Sequence, residues 1–130
     1  CIARPIHATI RRMPTVATLL TALRTFVAER DWHQFHDPKN LAMALGSEVG
    51  ELMAELRWVR SDEVEAHVAD PENRKRIAAE LGDVGILLLL LADRMNIDLL
   101  EAMQDKLEQN RKKYPVEASR GRAERPDEGS

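Results

Sequence analysis

The chain has 130 residues and a net charge of −3; 44% of its residues are hydrophobic, 32% charged and only 4% aromatic. That length suits one domain with a real core and is too short for two, and the acidic balance removes the electrostatic case for binding a nucleic-acid polymer. Few Val, Ile and Thr argue against a sheet-rich fold, the lone Cys1 excludes an internal disulfide and fits a reducing, cytoplasmic setting, and the apolar run 86–92 is too short to span a membrane.

The chain opens without the apolar core of a signal peptide. Met13-Pro14-Thr15 makes a natural start, so residues 1–13 are read as an extension or expression remnant, 14–118 as the domain and 119–130 as a disordered tail. A first helix is expected from Pro14 or Thr15 to Arg30, because Val16, Leu19, Leu20, Leu23, Phe26 and Val27 recur at three and four. Residues 31–38 break that period. They hold Trp32, Phe35, His33 and His36, and the two aromatics could either stack on a base or cap the core.

Asn40 is a candidate N-cap for a second helix reaching Trp58. A connector over 60–70 has room for a short helix around Glu63–Val68. Asp70-Pro71 is a strong start signal for a third helix ending near Met95, in which Ile77, Leu81, Val84, Leu88, Leu91 and Met95 form a bundle seam. Within it every residue from Ile86 to Leu91 is Ile or Leu, so all faces are apolar; in a domain this small that favours a subunit interface. A last helix runs from about Leu99 to Lys113, with Leu100, Met103 and Leu107 lining one face, and Tyr114-Pro115 ends it. The expected architecture is all-α, four main helices joined by short connections and therefore roughly antiparallel to their neighbours.

Two stretches carry the chemistry. Glu48-Val-Gly-Glu51 and Glu80-Leu-Gly-Asp83 each set two carboxylates three residues apart, on one face of a helix. A single such pair is usually a solvated face. Here the pattern recurs, the acids sit among Leu, Val and Ala with no local counter-charge, and four of the 6 glycines (Gly46, Gly50, Gly82, Gly85) lie beside them. A mid-helix glycine costs about 1 kcal/mol against Ala, which makes sense where a backbone or ligand must approach closely. Four carboxylates form a hard oxygen cage suited to Mg²⁺ or Mn²⁺ rather than zinc. Di-iron is disfavoured because no His follows a Glu by three residues. Such a cation completes its shell with water and phosphate oxygens, so the chemistry that follows is hydrolysis of a phosphoanhydride. With no Gly-rich phosphate loop present, Lys106, Asn110, Arg111, Lys112 and Lys113 are the candidate phosphate contacts, although a basic helix C-terminus is also what the helix dipole favours.

These stretches, with Ala28-Glu29-Arg30-Asp31-Trp32-His33-Gln34-Phe35-His36 and Asn110-Arg111-Lys112-Lys113-Tyr114-Pro115-Val116, resemble the MazG-like all-α nucleoside triphosphate pyrophosphohydrolases. Within that group the chain most resembles the dCTP pyrophosphatases, over roughly Leu19 to Gly121. The resemblance implies a four-helix MazG-like bundle assembling into a homodimer or a dimer of dimers. It implies Mg²⁺-dependent cleavage of a (deoxy)nucleoside triphosphate, dCTP or a modified dCTP foremost, to the monophosphate and pyrophosphate, as in nucleotide-pool sanitation. By position, Glu48, Glu51, Glu80 and Asp83 would ligate metal, with Glu48 or Glu51 as the base. Trp32, His36, Trp58 and Leu87 would border the nucleoside, and Lys106, Asn110, Arg111 and Tyr114 the phosphates. Two departures bear on specificity: Leu23 and Leu87 stand where the cytosine-selective relatives carry His and Tyr. The competing readings are a non-catalytic nucleotide-binding helical module and a plain dimerisation bundle.

Overall fold

A computed structural model describes residues 12–124. Among them every regular element is helical: α1 (Val16–Glu29), a 3-10 turn (His33–Phe35), α2 (Pro38–Leu56), α3 (Val64–Ala69), α4 (Pro71–Arg94), α5 (Leu99–Lys113) and α6 (Val116–Ser119). Of the expected extension (1–13) and tail (119–130), residues 1–11 and 125–130 lie outside the described residues, and Ser119 closes α6. None of the described helices is long and apolar enough to cross a membrane.

The chain divides between Phe35 and His36 into two compact units. In the first, Thr15 caps α1 through a reciprocal pair: its hydroxyl accepts from the Thr18 N–H, and the Thr18 hydroxyl accepts from the Thr15 N–H. Leu23 and Val27 are the buried side chains of α1. The helix ends with Asp31 in the left-handed region (φ 52°), where the Trp32 N–H reaches the Val27 carbonyl and the Asp31 N–H that of Ala28. That turn sets Trp32 edge-on against Phe26, ring centres 5.7 Å apart, while the Arg30 guanidinium covers the Phe26 ring at 3.6 Å.

The second unit is built on α2 and α4, which share its most extensive helix–helix packing. The N-cap of α2 is Asp37, not Asn40: Pro38 suits the first helical position, and the Asp37 carboxylate then accepts from the Asn40 N–H at 2.8 Å. The helix also stops at Leu56, short of Trp58. Asp70 caps α4 as expected, accepting from the Glu72 and Asn73 N–H groups. At its far end α4 closes as α1 does, with Asn96 left-handed (φ 55°) and the Ile97 N–H on the Ala92 carbonyl. Asp98 then caps α5. Arg94 reaches back to the start of the unit, donating from Nε to the His36 carbonyl at 3.1 Å. The periodicity does not signal the short α6; Pro115 immediately before it permits one more turn after α5 stops.

Burial departs from the sequence expectation in one respect. Leu41 (2% exposed), Ile77 and Ala92 are the buried hydrophobic side chains of this unit. The seam on α4 is only partly covered, with Leu81 54% and Leu88 38% exposed, and the Ile86–Leu91 run is not enclosed within the described chain. The face of α5 expected to line a bundle is exposed as well, Leu100, Met103 and Leu107 each by half or more. A repeat at three and four defines an apolar face without saying what covers it.

Candidate functional site

The direction of α2 against α4 follows from two contacts. Glu55, near the end of α2, pairs with Arg76 in the second turn of α4 at 3.2 Å. Glu48, further back on α2, meets Glu80 and Asp83, further along α4. The helices are therefore antiparallel, and their acidic faces oppose each other.

One carboxylate oxygen from each of Glu48, Glu80 and Asp83 lies within 4.8 Å of the others. Oxygens on opposite sides of an octahedral Mg²⁺ stand about 4.2 Å apart, so the three suit a small hard cation after slight side-chain adjustment. Glu51 lies outside this tight group but not outside its field. Partial burial pushes the Glu80 carboxyl above its ordinary range, and the charges of Asp83, Glu48, Glu51 and Glu55 push it the same way. Glu48 and Glu80 are half-buried and Asp83 exposed, so the cluster is open to solvent on the Asp83 side.

Arg76 is a local counter-charge that the sequence reading did not credit, and Glu55 takes it. Both were findable: Glu55 continues the face of Glu48 and Glu51 by one turn, and Arg76 precedes Glu80 by four residues. The glycine argument changes too. A Cβ at Gly46, Gly50, Gly82 or Gly85 would meet nothing within 4 Å, so close helix–helix approach within the described chain does not explain them.

The remaining predicted residues are spread over several elements. Trp32 sits in the first unit against Phe26. His36 begins the second, its carbonyl held by Arg94. Trp58 is 85% exposed just beyond α2, with the Arg57 guanidinium 5.6 Å from its ring. Leu87 is half-buried on α4. On α5 Lys106 and Arg111 are exposed, Arg111 being paired with Glu108 at 2.6 Å, while Asn110 and the capping Tyr114 are half-buried.

Comparison with known proteins bears on this arrangement. The chain is 43% identical over 110 residues to dCTP pyrophosphatase 1 of Mus musculus, covering 85% of this chain and 65% of that protein. Against dCTP pyrophosphatase 1 of Homo sapiens it is 40% identical over 107 residues, covering 82% and 63%. The chain thus spans a little under two thirds of the length of these relatives. Its fold is similar to the crystal structure of a pyrophosphatase from Archaeoglobus fulgidus DSM 4304, with a TM-score of 0.73, 38% identity, and coverage of 80% of this chain and 95% of that one. Residues 43–128, including both acidic stretches, match the MazG-like family, and the chain belongs to that family.

Proposed function

We propose that this chain is a divalent-cation-dependent nucleoside triphosphate pyrophosphohydrolase that releases pyrophosphate and leaves the monophosphate. The observation that carries the reading is the convergence of Glu48, Glu80 and Asp83 from two antiparallel helices. The names of the relatives, dCTP pyrophosphatase 1 and pyrophosphatase, support the reaction and favour dCTP or a modified dCTP as substrate.

Glu48, Glu80 and Asp83, with Glu51 beside them, would hold Mg²⁺ or Mn²⁺. A cation there supplies charge neutralisation for the triphosphate and a water of lowered pKa. Glu48 or Glu51 would accept the proton of the attacking water. Lys106, Asn110, Arg111 and Tyr114 are assigned to the phosphates, and Trp32, Trp58, His36 and Leu87 to the nucleoside. Leu23 and Leu87, standing where the cytosine-selective relatives it resembles carry His and Tyr, each lack a polar group, which argues against a strict preference for dCTP. The exposed leucines of α4 and α5 fit a homodimer or homotetramer, and housekeeping of the cytoplasmic nucleotide pool is the matching role.

The test is a pyrophosphate-release screen over common and base-modified (d)NTPs with Mg²⁺ and with Mn²⁺. Release from at least one deoxycytidine triphosphate is expected. Tight metal-dependent binding without turnover would favour the non-catalytic module instead.

A further inference from the structure

A chain of hydrogen bonds runs from α3 through α4 to the acidic face of α2. Arg76 donates from Nε to Glu55 Oε2 at 3.2 Å and from Nη2 to Asn73 Oδ1 at 2.6 Å. Asn73 Nδ2 stands 3.1 Å from the His67 carbonyl and 3.2 Å from His67 Nδ1. A guanidinium only donates and a carbonyl only accepts, so the orientation of the Asn73 amide is forced from both sides. His67 Nδ1 is then an acceptor and its ring proton sits on Nε2, a buried atom with no partner among the described residues. The Asn73 amide is thereby held in the one orientation that presents an acceptor to Arg76.

Glu55 is the fifth acid at this face. It follows Glu51 by four residues and Glu48 by seven, so it lies along the same side of α2. Its side chain is 22% exposed. An unpaired carboxylate there would be one more hard ligand for a cation that must leave room for water and phosphate oxygens.

Building on the proposed cation-dependent function, we propose that Arg76 is a positioning residue that keeps Glu55 out of the divalent-cation site, held in that role by Asn73 and His67. The pair is too exposed to matter much for stability. Its effect is on which carboxylates are free.

The experiment is Mn²⁺ binding to the full chain at pH 7.5, by calorimetry and by electron paramagnetic resonance, with pyrophosphate release in parallel. Arg76→Gln is expected to bind Mn²⁺ about tenfold tighter, the scale of one added carboxylate charge near a divalent ion. Arg76→Lys should stay within about twofold of wild type, and Asn73→Ala should fall between the two. Glu55→Gln and the double variant Arg76→Gln/Glu55→Gln should match each other, because a neutral Glu55 leaves nothing to withhold.

Wild-type affinity in Arg76→Gln overturns the proposal. So does an unchanged tenfold effect of Arg76→Gln in the Glu55→Gln background, since Arg76 would then act only as a distant charge. If Arg76→Gln does not fold, Asn73→Ala carries the same test, and wild-type affinity there overturns the proposal. Failure of the underlying reading has a different signature: wild type itself would bind no Mn²⁺, and Glu48→Gln would be indistinguishable from it.

Discussion

Helices α2 and α5 are both amphipathic, yet among the described residues α2 packs far more extensively on α4 than α5 does. Helix α2 buries Leu41 and contributes Glu48 to the carboxylate cluster. The other exposes Leu100, Met103 and Leu107 and presents Lys106 and Arg111 to solvent. The contrast separates what a helix needs to form from what it needs to be covered. Caps and periodicity suffice for the first, and α5 has an Asp98 cap and three basic residues in its last turn. The second depends on another surface, and for α5 a second copy of the chain is the proposed source.

The largest test of the contrast is chemical. Replacing Glu48, Glu80 or Asp83 by its amide should lower pyrophosphate release by on the order of a thousandfold. The melting temperature without metal should stay the same or rise, because each change relieves repulsion in the cluster. A change at Lys106 that cost as much would move the centre of the chemistry towards α5.

Packing provides the next test. Leu41→Ala should cost about 3 kcal/mol in denaturant unfolding, as expected for a nearly fully buried leucine. Leu107→Ala should change the stability of an isolated protomer by at most about 0.5 kcal/mol. Any larger cost at Leu107 should appear as a concentration-dependent melting temperature and a shift towards monomer in sedimentation. Equal costs at the two sites, independent of concentration, would erase the distinction between the helices.

Acid titration reads the cluster without any ligand. The folded Glu80 carboxyl titrates above its ordinary value of 4.5. Between 4.5 and that raised value the folded protein holds more protons than the unfolded one, so stability falls as pH rises through the window. Glu80→Gln should remove this part of the slope in unfolding curves, and saturating Mg²⁺ should oppose the fall. A metal-free slope identical in Glu80→Gln and wild type would mean that neither burial nor the four neighbouring carboxylates raises the Glu80 carboxyl.

The smallest effect concerns the helix glycines. With open space where its Cβ would go, Gly82→Ala should stabilise the metal-free protein by roughly 0.5–1 kcal/mol. If the substrate or a partner chain lies against that face, the same change should raise KM or weaken self-association.

Much of the fold was legible along the chain because its causes are local. Asp70-Pro71 and Thr15 announce helix starts through side chains that reach only three residues. The spacing of Glu48 and Glu51, and of Glu80 and Asp83, places each pair on one helical face whatever surrounds it. Asn40 misled because an Asp three residues earlier, followed by Pro, competes for the same capping role. The Ile86–Leu91 run is a different case: uniform apolarity asks for cover, the sequence assigns that cover to a subunit interface, and the described residues leave the run partly exposed.

By itself, then, the sequence determined an all-helical chain, its main helix starts and two acidic faces, since capping and the 3.6-residue repeat act within a turn or two. Tertiary structure alone decided the register of α2 against α4, so that Glu48 meets Glu80 and Asp83 while Glu55 pairs with Arg76. That register depends on which faces pack across a separation of tens of residues, and no local spacing encodes it.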